Sequence, residues 1–380
     1  MRLILDDTQT LLQTTAREWV SERSPVGRVR DLRAARDPVG YSPTLWQEMA
    51  SLGWAGVHFP EELGGAGLGF FDLCLVLEAV GRRLMPEPFV SSVLLGAGAL
   101  LYAGSPSQQD TWLPKVASGE ATLALGFEEA GSRYNHHHVG LRAARSEGGY
   151  ALSGEKVHVL DGGSADALLV SARLEGERDA AEGLGLFLVE AEASGMTCDP
   201  QWRVDGRGSV VVRLEGVQVP ESSLVGEPGR GGAVLDWVMD RACIGLAAEM
   251  LGASTEAFDV TVNYLREREQ FGQPIGGFQA LQHRAARLLM ELEMARSAVL
   301  GAARAVDEGS ERISELASLA KARCADVVNH VTNEAVQMHG GIGMTDEHDI
   351  GFFMKRARAA GSLFGDAAWH RERWAALRGY

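Results

Sequence analysis

The chain has 380 residues, 46% of them hydrophobic and 23% charged, and carries a net charge of −15. That length carries two or three cores, or one large domain with an insert. The acid excess, with no cluster of Lys and Arg, argues against a nucleic-acid-binding surface, and any polyanionic ligand must be held by local donors and helix N-termini.

The four cysteines, Cys74, Cys198, Cys243 and Cys324, are far apart and form no CxxC, which predicts free thiols in a reducing compartment. The opening MRLILDDTQT is too short and too acidic for a signal or transit peptide. No apolar run reaches the ~18–20 residues of a membrane span. A cytoplasmic protein without a membrane span is the expectation.

Along the chain the texture changes twice. Residues 1–120 carry helical spacing, as in FFDLCLVLEAVGRRL (70–84). Residues 121–228 read as strands: 167–174, 185–191 and 209–220 are short β-rich runs bounded by Gly, Asp and Pro. GVQVPESSLVGEPGRGG (216–232) reads as an exit loop dense in turn formers. Long helices follow. Leu281, Ala285, Leu288, Leu292, Ala295, Val299 and Ala303 recur at steps of three and four, as do Ile313, Leu316, Ala320, Cys324, Val327, Val331 and Ala335. Two such neighbours predict an antiparallel bundle. The domains expected are therefore 1–120 (helical), 121–228 (β) and 229–380 (helical bundle).

Two stretches of the last region stand out. In HGGIGMTD (339–346), glycines let backbone N–H groups approach a phosphate or an adenine ring, although a glycine helix cap is the simpler reading. In YLREREQFGQPIGGFQALQHR (264–284), Arg268 and Phe271 lie three apart at a helix end, in what is otherwise a helix–loop–helix corner with solvated charges. The sequence FPEELGGAGLGFFDLCLVLEAVGRRL (59–84), with Glu78, Gly81 and Arg82, precedes both, and SGEKVHVLDGG (153–163) falls between. These four stretches, in this order and across essentially the whole chain, resemble the acyl-CoA dehydrogenase family of flavoproteins. The resemblance implies an α+β fold: an N-terminal α domain, a middle β-barrel or sandwich domain, and a C-terminal four-helix bundle. It also implies FAD and α,β-desaturation of an acyl-CoA thioester, in which a carboxylate removes the α-proton while the β-hydrogen leaves as hydride to the flavin. Such a base needs a pKa raised by burial, and the thioester carbonyl needs hydrogen-bond donors.

Residue by residue, the trans half of the cofactor site matches the family. Arg268 and Phe271 match the Arg and Phe that reach a neighbouring subunit's FAD, Gln279 matches the glutamine of the same region, and Gln337, Gly340 and Gly341 match the adenosine-contacting Gln-x-x-Gly-Gly. The cis half departs from it. Phe127 stands where a Thr or Ser bonds the flavin. His158, Val159 and Leu160 stand where Trp-Ile-Thr is usual, and a leucine donates no hydrogen bond. The run His136, His137 and His138 raises metal binding. Alternation along a strand would split such neighbours between faces, and no second ligand cluster is evident, so no metal site is expected.

The base is displaced as well. Counted from Arg356, its usual place falls on Gly365, with Asp366 one residue later. A minority of the family carries the base immediately before an Arg on the first bundle helix, and Asp240–Arg241 matches that pattern. Asp240 is the first candidate base, Arg241 its neighbour, and Asp366 a weaker alternative. Three readings follow: an acyl-CoA dehydrogenase of fatty-acid or steroid side-chain type, a partner subunit completing another chain's FAD site in an α2β2 enzyme, and a flavin oxygenase or oxidase. By resemblance the partners are acyl-CoA, a homo- or hetero-oligomer (a dimer of dimers) and an electron-transfer flavoprotein.

Overall fold

The computed structural model describes residues 4–380. In chain order it opens with helices α1 (Asp7–Arg23), α2 (Arg28–Ala35), α3 (Pro43–Ser51) and α4 (Phe70–Arg82). A π-helical stretch (Phe89–Ala97) leads into α5 (Gly98–Ala103) and α6 (Pro106–Ala117). Eight strands follow: β1 (Leu123–Gly126), β2 (Arg142–Ser146), β3 (Gly149–Leu160), β4 (Ala167–Arg173), β5 (Leu184–Glu190), β6 (Met196–Trp202), β7 (Gly208–Pro220) and β8 (Leu224–Val225). Then come the 37-residue α7 (Gly231–Glu267), a short hairpin β9 (Glu269–Gln270) and β10 (Gln273–Pro274), α8 (Gln279–Asp307), α9 (Ile313–His339), α10 (Ile350–Ser362) and α11 (Ala367–Leu377). The expected order of helices, β region and helical bundle is present. Among the described residues no helix is long and apolar enough to cross a membrane.

Local chemistry explains the boundaries. Asp6 with Gln9, and Ser105 with Gln108, form reciprocal capping boxes at the starts of α1 and α6, and Pro106 occupies the first turn of α6. The expected exit loop begins later than its Gly-, Pro- and Ser-rich sequence suggests. The alternation of Val217 and Val219 keeps β7 paired with β3 as far as Pro220.

The chain divides into two compact units, and α7 begins in one and ends in the other. The unit formed by residues 35–68 and 86–242 holds one eight-stranded sheet, ordered β6-β7-β3-β2-β4-β5-β8. The sheet forks at β4: β1 runs parallel to its first half, and β2 meets its far end at Arg142–Arg173. Inward residues such as Leu152, Val159, Leu168, Val170, Phe187, Val212 and Leu214 form the core.

The second unit, residues 4–34, 69–85 and 243–380 among those described, is mainly helical. The apolar stripes of α8 and α9 bury Leu288, Leu292, Ala295 and Val299 and Ala320, Cys324, Val327 and Val331. Here the FFDLCLVLEAVGRR stretch acquires a structural role. A Cβ on Gly81 would lie 2.1 Å from Glu249 O, and one on Gly252 would lie 1.9 Å from Glu78 O, so α4 and α7 cross at bare backbone. Beside the crossing, buried Glu78 takes Arg17 and Arg296 at 2.8 Å each, and Arg82 pairs with Glu256 and Asp259. These charges line a cleft of about 1110 Å³. Glu249 and Arg356, both nearly sealed from solvent, form an ion pair at 3.0 Å.

Candidate functional site

The helical unit gathers the residues expected to form the trans half at the end of the bundle where α7 and α9 finish. Tyr264 in the last turn of α7 stacks on His339 in the last turn of α9, with ring centroids 4.4 Å apart and planes 25° off parallel. One turn beyond, Arg268 N–H donates to Tyr264 O at 2.9 Å, and the β9–β10 hairpin carries Phe271. Phe271 is 92% exposed and sits at φ +54, an uncommon conformation for an aromatic residue. Arg268, Gln279 and Gln337 are also exposed. At φ +66, Gly340 ends α9, and among the described residues no atom lies within 4 Å of where a Cβ on Gly340 or Gly341 would stand. The surface thus offers a guanidinium, two carboxamides, bare backbone and an aromatic face. That donor set suits an elongated anionic ligand with a ring system.

The sheet unit presents the opposite character at the cis positions. Phe127, just past β1, is 8% exposed, and Leu160, the last residue of β3, is 3% exposed. A bulge between Lys156 and Val159 breaks the alternation of β3. It buries Val159 and Leu160 in succession and leaves His158 exposed at φ +53. Neither buried side chain has a hydroxyl.

Beneath these positions lies a buried polar network. Lys156 donates to Glu129 at 2.7 Å and to Ser171 Oγ at 2.9 Å, and the same carboxylate accepts from the N–H groups of Gly140 and Leu141. Burial pulls the Lys156 ammonium down to about 8 against the pull of Glu129. Burial alone would raise Glu129, but the Lys156 charge and these bonds hold it below its ordinary value. Next to it, burial pushes Glu128 up to about 7, with the Arg203 charge opposing.

Asp240 lies on α7 and is 5% exposed. Arg241 crosses the Trp237 ring at 3.5 Å and donates to Trp237 O at 3.2 Å, while Trp237 stacks on Tyr102 at 4.7 Å. Burial draws Arg241 down to about 10, and the Asp240 charge works the other way. His58 is driven down to about 4 by burial and then by Arg241, which leaves its imidazole neutral. A carboxylate beside a guanidinium that is itself stacked can remove a proton while its counter-charge stays in place.

At the usual base position the helical unit leaves no room. Gly365 is buried at φ +111, and a Cβ there would meet Trp369 Cε3 at 2.6 Å and His370 Nε2 at 2.9 Å. Lys321 donates to Gly361 O and Gly365 O at 3.1 and 2.8 Å, and His370 Nε2 lies 3.1 Å from Phe364 O. Burial lowers Lys321 to about 8, and burial together with the Lys321 charge lowers His370 to about 3. Asp366 accepts from Trp369 N–H at 2.9 Å as the N-cap of α11, which accounts for an acid at that position.

The histidine run departs from the expectation in both of its premises. Residues 135–138 form turns rather than a strand, so nothing splits neighbouring side chains between faces. A further ligand type is also present. His136 Nε2 lies 2.6 Å and His137 Nε2 3.1 Å from Asp236 Oδ1, and one ligand atom from each of the three residues falls within 4.8 Å of the others. His138 faces elsewhere, to Asp179 at 2.5 Å. Asp236 is 98 residues from His138, so spacing alone gave no signal.

An N-terminal helical region, a central sheet and a C-terminal bundle with a glycine-ended helix define a flavoenzyme-like architecture. Two family models match the chain, "Acyl-CoA dehydrogenase, N-terminal domain" over residues 6–120 and "Acyl-CoA dehydrogenase, C-terminal domain" over residues 229–377. A probable acyl-CoA dehydrogenase of Bacillus subtilis, YngJ, is 31% identical, with 85% of this chain and 86% of that protein covered. Among solved structures, a steroid ACAD, Tcur3481-Tcur3483, is 32% identical over 98% of both chains with a TM-score of 0.87. The ChsE4-ChsE5 complex of Mycobacterium tuberculosis is 27% identical, covers 100% of this chain and 99% of that one, and has a TM-score of 0.89. This chain belongs to the acyl-CoA dehydrogenase family.

Proposed function

We propose that the chain works in a heteromeric, FAD-dependent acyl-CoA dehydrogenase, where it completes the FAD site of a partner subunit. One observation supports this reading: the proposed trans contacts are exposed at the end of the helical bundle, whereas two of the three cis positions, Phe127 and Leu160, are buried and apolar. Bound FAD supplies the acceptor for the β-hydrogen of an acyl-CoA thioester. This chain's part would be to hold it: Arg268 would pair with the pyrophosphate, Phe271 would pack on a ring, and Gln279, Gln337 and the backbone of Gly340 and Gly341 would face the adenosine end. Arg268 is the natural choice because its planar fork matches phosphate oxygens in two bonds at once. Two solved neighbours, Tcur3481-Tcur3483 and the ChsE4-ChsE5 complex, pair two different chains, which supports an α2β2 assembly, and the first is a steroid ACAD, which supports a bulky acyl group as substrate. The segments 1–120, 121–228 and 229–380 act as its three domains. An electron-transfer flavoprotein is the proposed electron acceptor, and the cytoplasm the proposed location.

A second reading rests on Asp240, a buried carboxylate beside the stacked Arg241. In it the chain removes the α-proton itself, with Asp240 as base and Arg241 fixing the charge balance.

One experiment separates the two. The chain is purified alone and with the product of a neighbouring gene, and flavin content and anaerobic bleaching by acyl-CoA are measured. Full FAD occupancy by the chain alone would sink the partner-subunit reading. Bleaching that falls roughly 10²–10⁴-fold in Asp240→Asn identifies Asp240 as the base. Unchanged bleaching in that variant removes it. Rapid oxygen consumption with NADPH would instead point to an oxygenase.

A further inference from the structure

We propose that His136, His137 and Asp236 form a binding site for one divalent transition-metal ion of the zinc type. The geometry starts from two imidazole nitrogens aimed at a single carboxylate oxygen, at 2.6 and 3.1 Å. A carboxylate oxygen serves one of them well. His137 Nε2 is shielded from solvent and makes no hydrogen bond of acceptable geometry. A cation between the three atoms satisfies all of them at once.

The donor set is also chemically apt. Two neutral imidazoles and a carboxylate suit zinc, with bonds of about 2.0–2.2 Å, and leave a fourth position for water. Ligand atoms around such an ion stand roughly 3–3.5 Å apart by that geometry. The two nitrogen–oxygen separations must therefore open by less than about 1 Å, and the half-exposed Asp236 side chain has room to make that shift. The two rings are already nearly perpendicular, at 80° with centroids 4.5 Å apart, so their nitrogens converge without stacking.

The loop is pre-organised rather than floppy. Arg173, 1% exposed, donates to the carbonyls of His137, Arg178, Ala180 and Glu182 at 2.7–2.9 Å. His137 N–H donates to Asn135 Oδ1 at 3.0 Å. Asp236 sits in the second turn of α7, one turn before Asp240. An ion here ties the histidine loop to the helix that carries the candidate base. The site shares no residue with the proposed trans cofactor set, and the proposal does not depend on how the flavin is shared.

The test uses the full-length chain without an affinity tag, titrated with Co²⁺ alone at about pH 8, where imidazole is neutral. The expected result is one equivalent of Co²⁺ with visible d–d bands of a four- or five-coordinate site, displaced by Zn²⁺, and a rise in the melting temperature. His136→Asn and Asp236→Asn should each weaken binding at least tenfold, while His138→Asn binds as the parent does. X-ray absorption on the Co²⁺-loaded parent should count two imidazoles, which keeps the proposal testable if a variant fails to fold. No stoichiometric binding, a site with fewer than two imidazoles, or binding undiminished in His136→Asn overturns it.

Discussion

The end of the helical bundle and the cis positions of the sheet unit differ in what surrounds their side chains. At the first, Phe271, Arg268 and Gln337 face outward, and among the described residues no atom lies within 4 Å of the Cβ position of Gly340 or Gly341. At the second, Phe127 and Leu160 are sealed into their own unit. Phe271 meets the Phe278 ring edge-on, with centroids 6.1 Å apart, but the residue stays 92% exposed at a positive φ, which leaves its face open to a ligand or neighbour. A buried leucine needs no such explanation, because burial of its side chain stabilises by about 1.5–3 kcal/mol.

The largest effect that would sharpen this contrast lies deep in the helical unit. Arg356→Ala leaves Glu249 buried without its guanidinium, and denaturant unfolding should show a loss of about 3–5 kcal/mol. Restoring a carboxylate at the usual base position comes next. Gly365→Glu forces a Cβ against Trp369 and His370 at φ +111, and should cost about 2–4 kcal/mol in unfolding experiments while adding no bleaching activity. A variant that folds as well as the parent and gains activity would break the argument that this position is closed. Arg268→Ala should behave differently. It should leave the melting temperature of the isolated chain within experimental error, yet weaken flavin retention of the assembled enzyme roughly 10–100-fold, the loss of one or two charge-assisted bonds.

The smallest effect is a matter of sign. His370 is held at about 3 in the folded chain against about 6.5 unfolded, so the unfolded state binds more protons between those values. Its contribution to stability is fully present above about pH 6.5 and declines as pH falls towards 3. Glu128 is raised to about 7, so here the folded state binds more protons between about 4.5 and 7, and stability declines as pH rises through that window. Melting temperature against pH should therefore tilt in opposite directions in His370→Gln and Glu128→Gln. Each tilt should be on the order of 1 kcal/mol for Glu128, whose partial solvent contact screens it, and somewhat more for the buried His370.

Much of the architecture was legible from spacing. The 3.6-residue stripes of α8 and α9 and the alternation in β7 are properties of a local pattern against a single apolar layer, and each element lies within a few residues of its expected place. The proposed trans residues, Arg268 and Phe271, and Gln337 with Gly340 and Gly341, come from short contiguous motifs, which is why a sequence can nominate them. What tertiary structure decided were the convergences between distant segments. The bulge at Lys156–Val159 turned His158 out and Val159 in, reversing what strict alternation from the buried Lys156 predicts, because an extra residue in one strand shifts the side chains after it to the other face. Asp366 became a helix cap and Gly365 a steric stop only once α11 folded back beside them. His136, His137 and Asp236 met only because Arg173 gathers a loop from four directions beside the start of α7. Local periodicity is written in neighbouring residues, whereas a site built from loops is written in their packing, and only the folded chain brings those atoms within bonding distance.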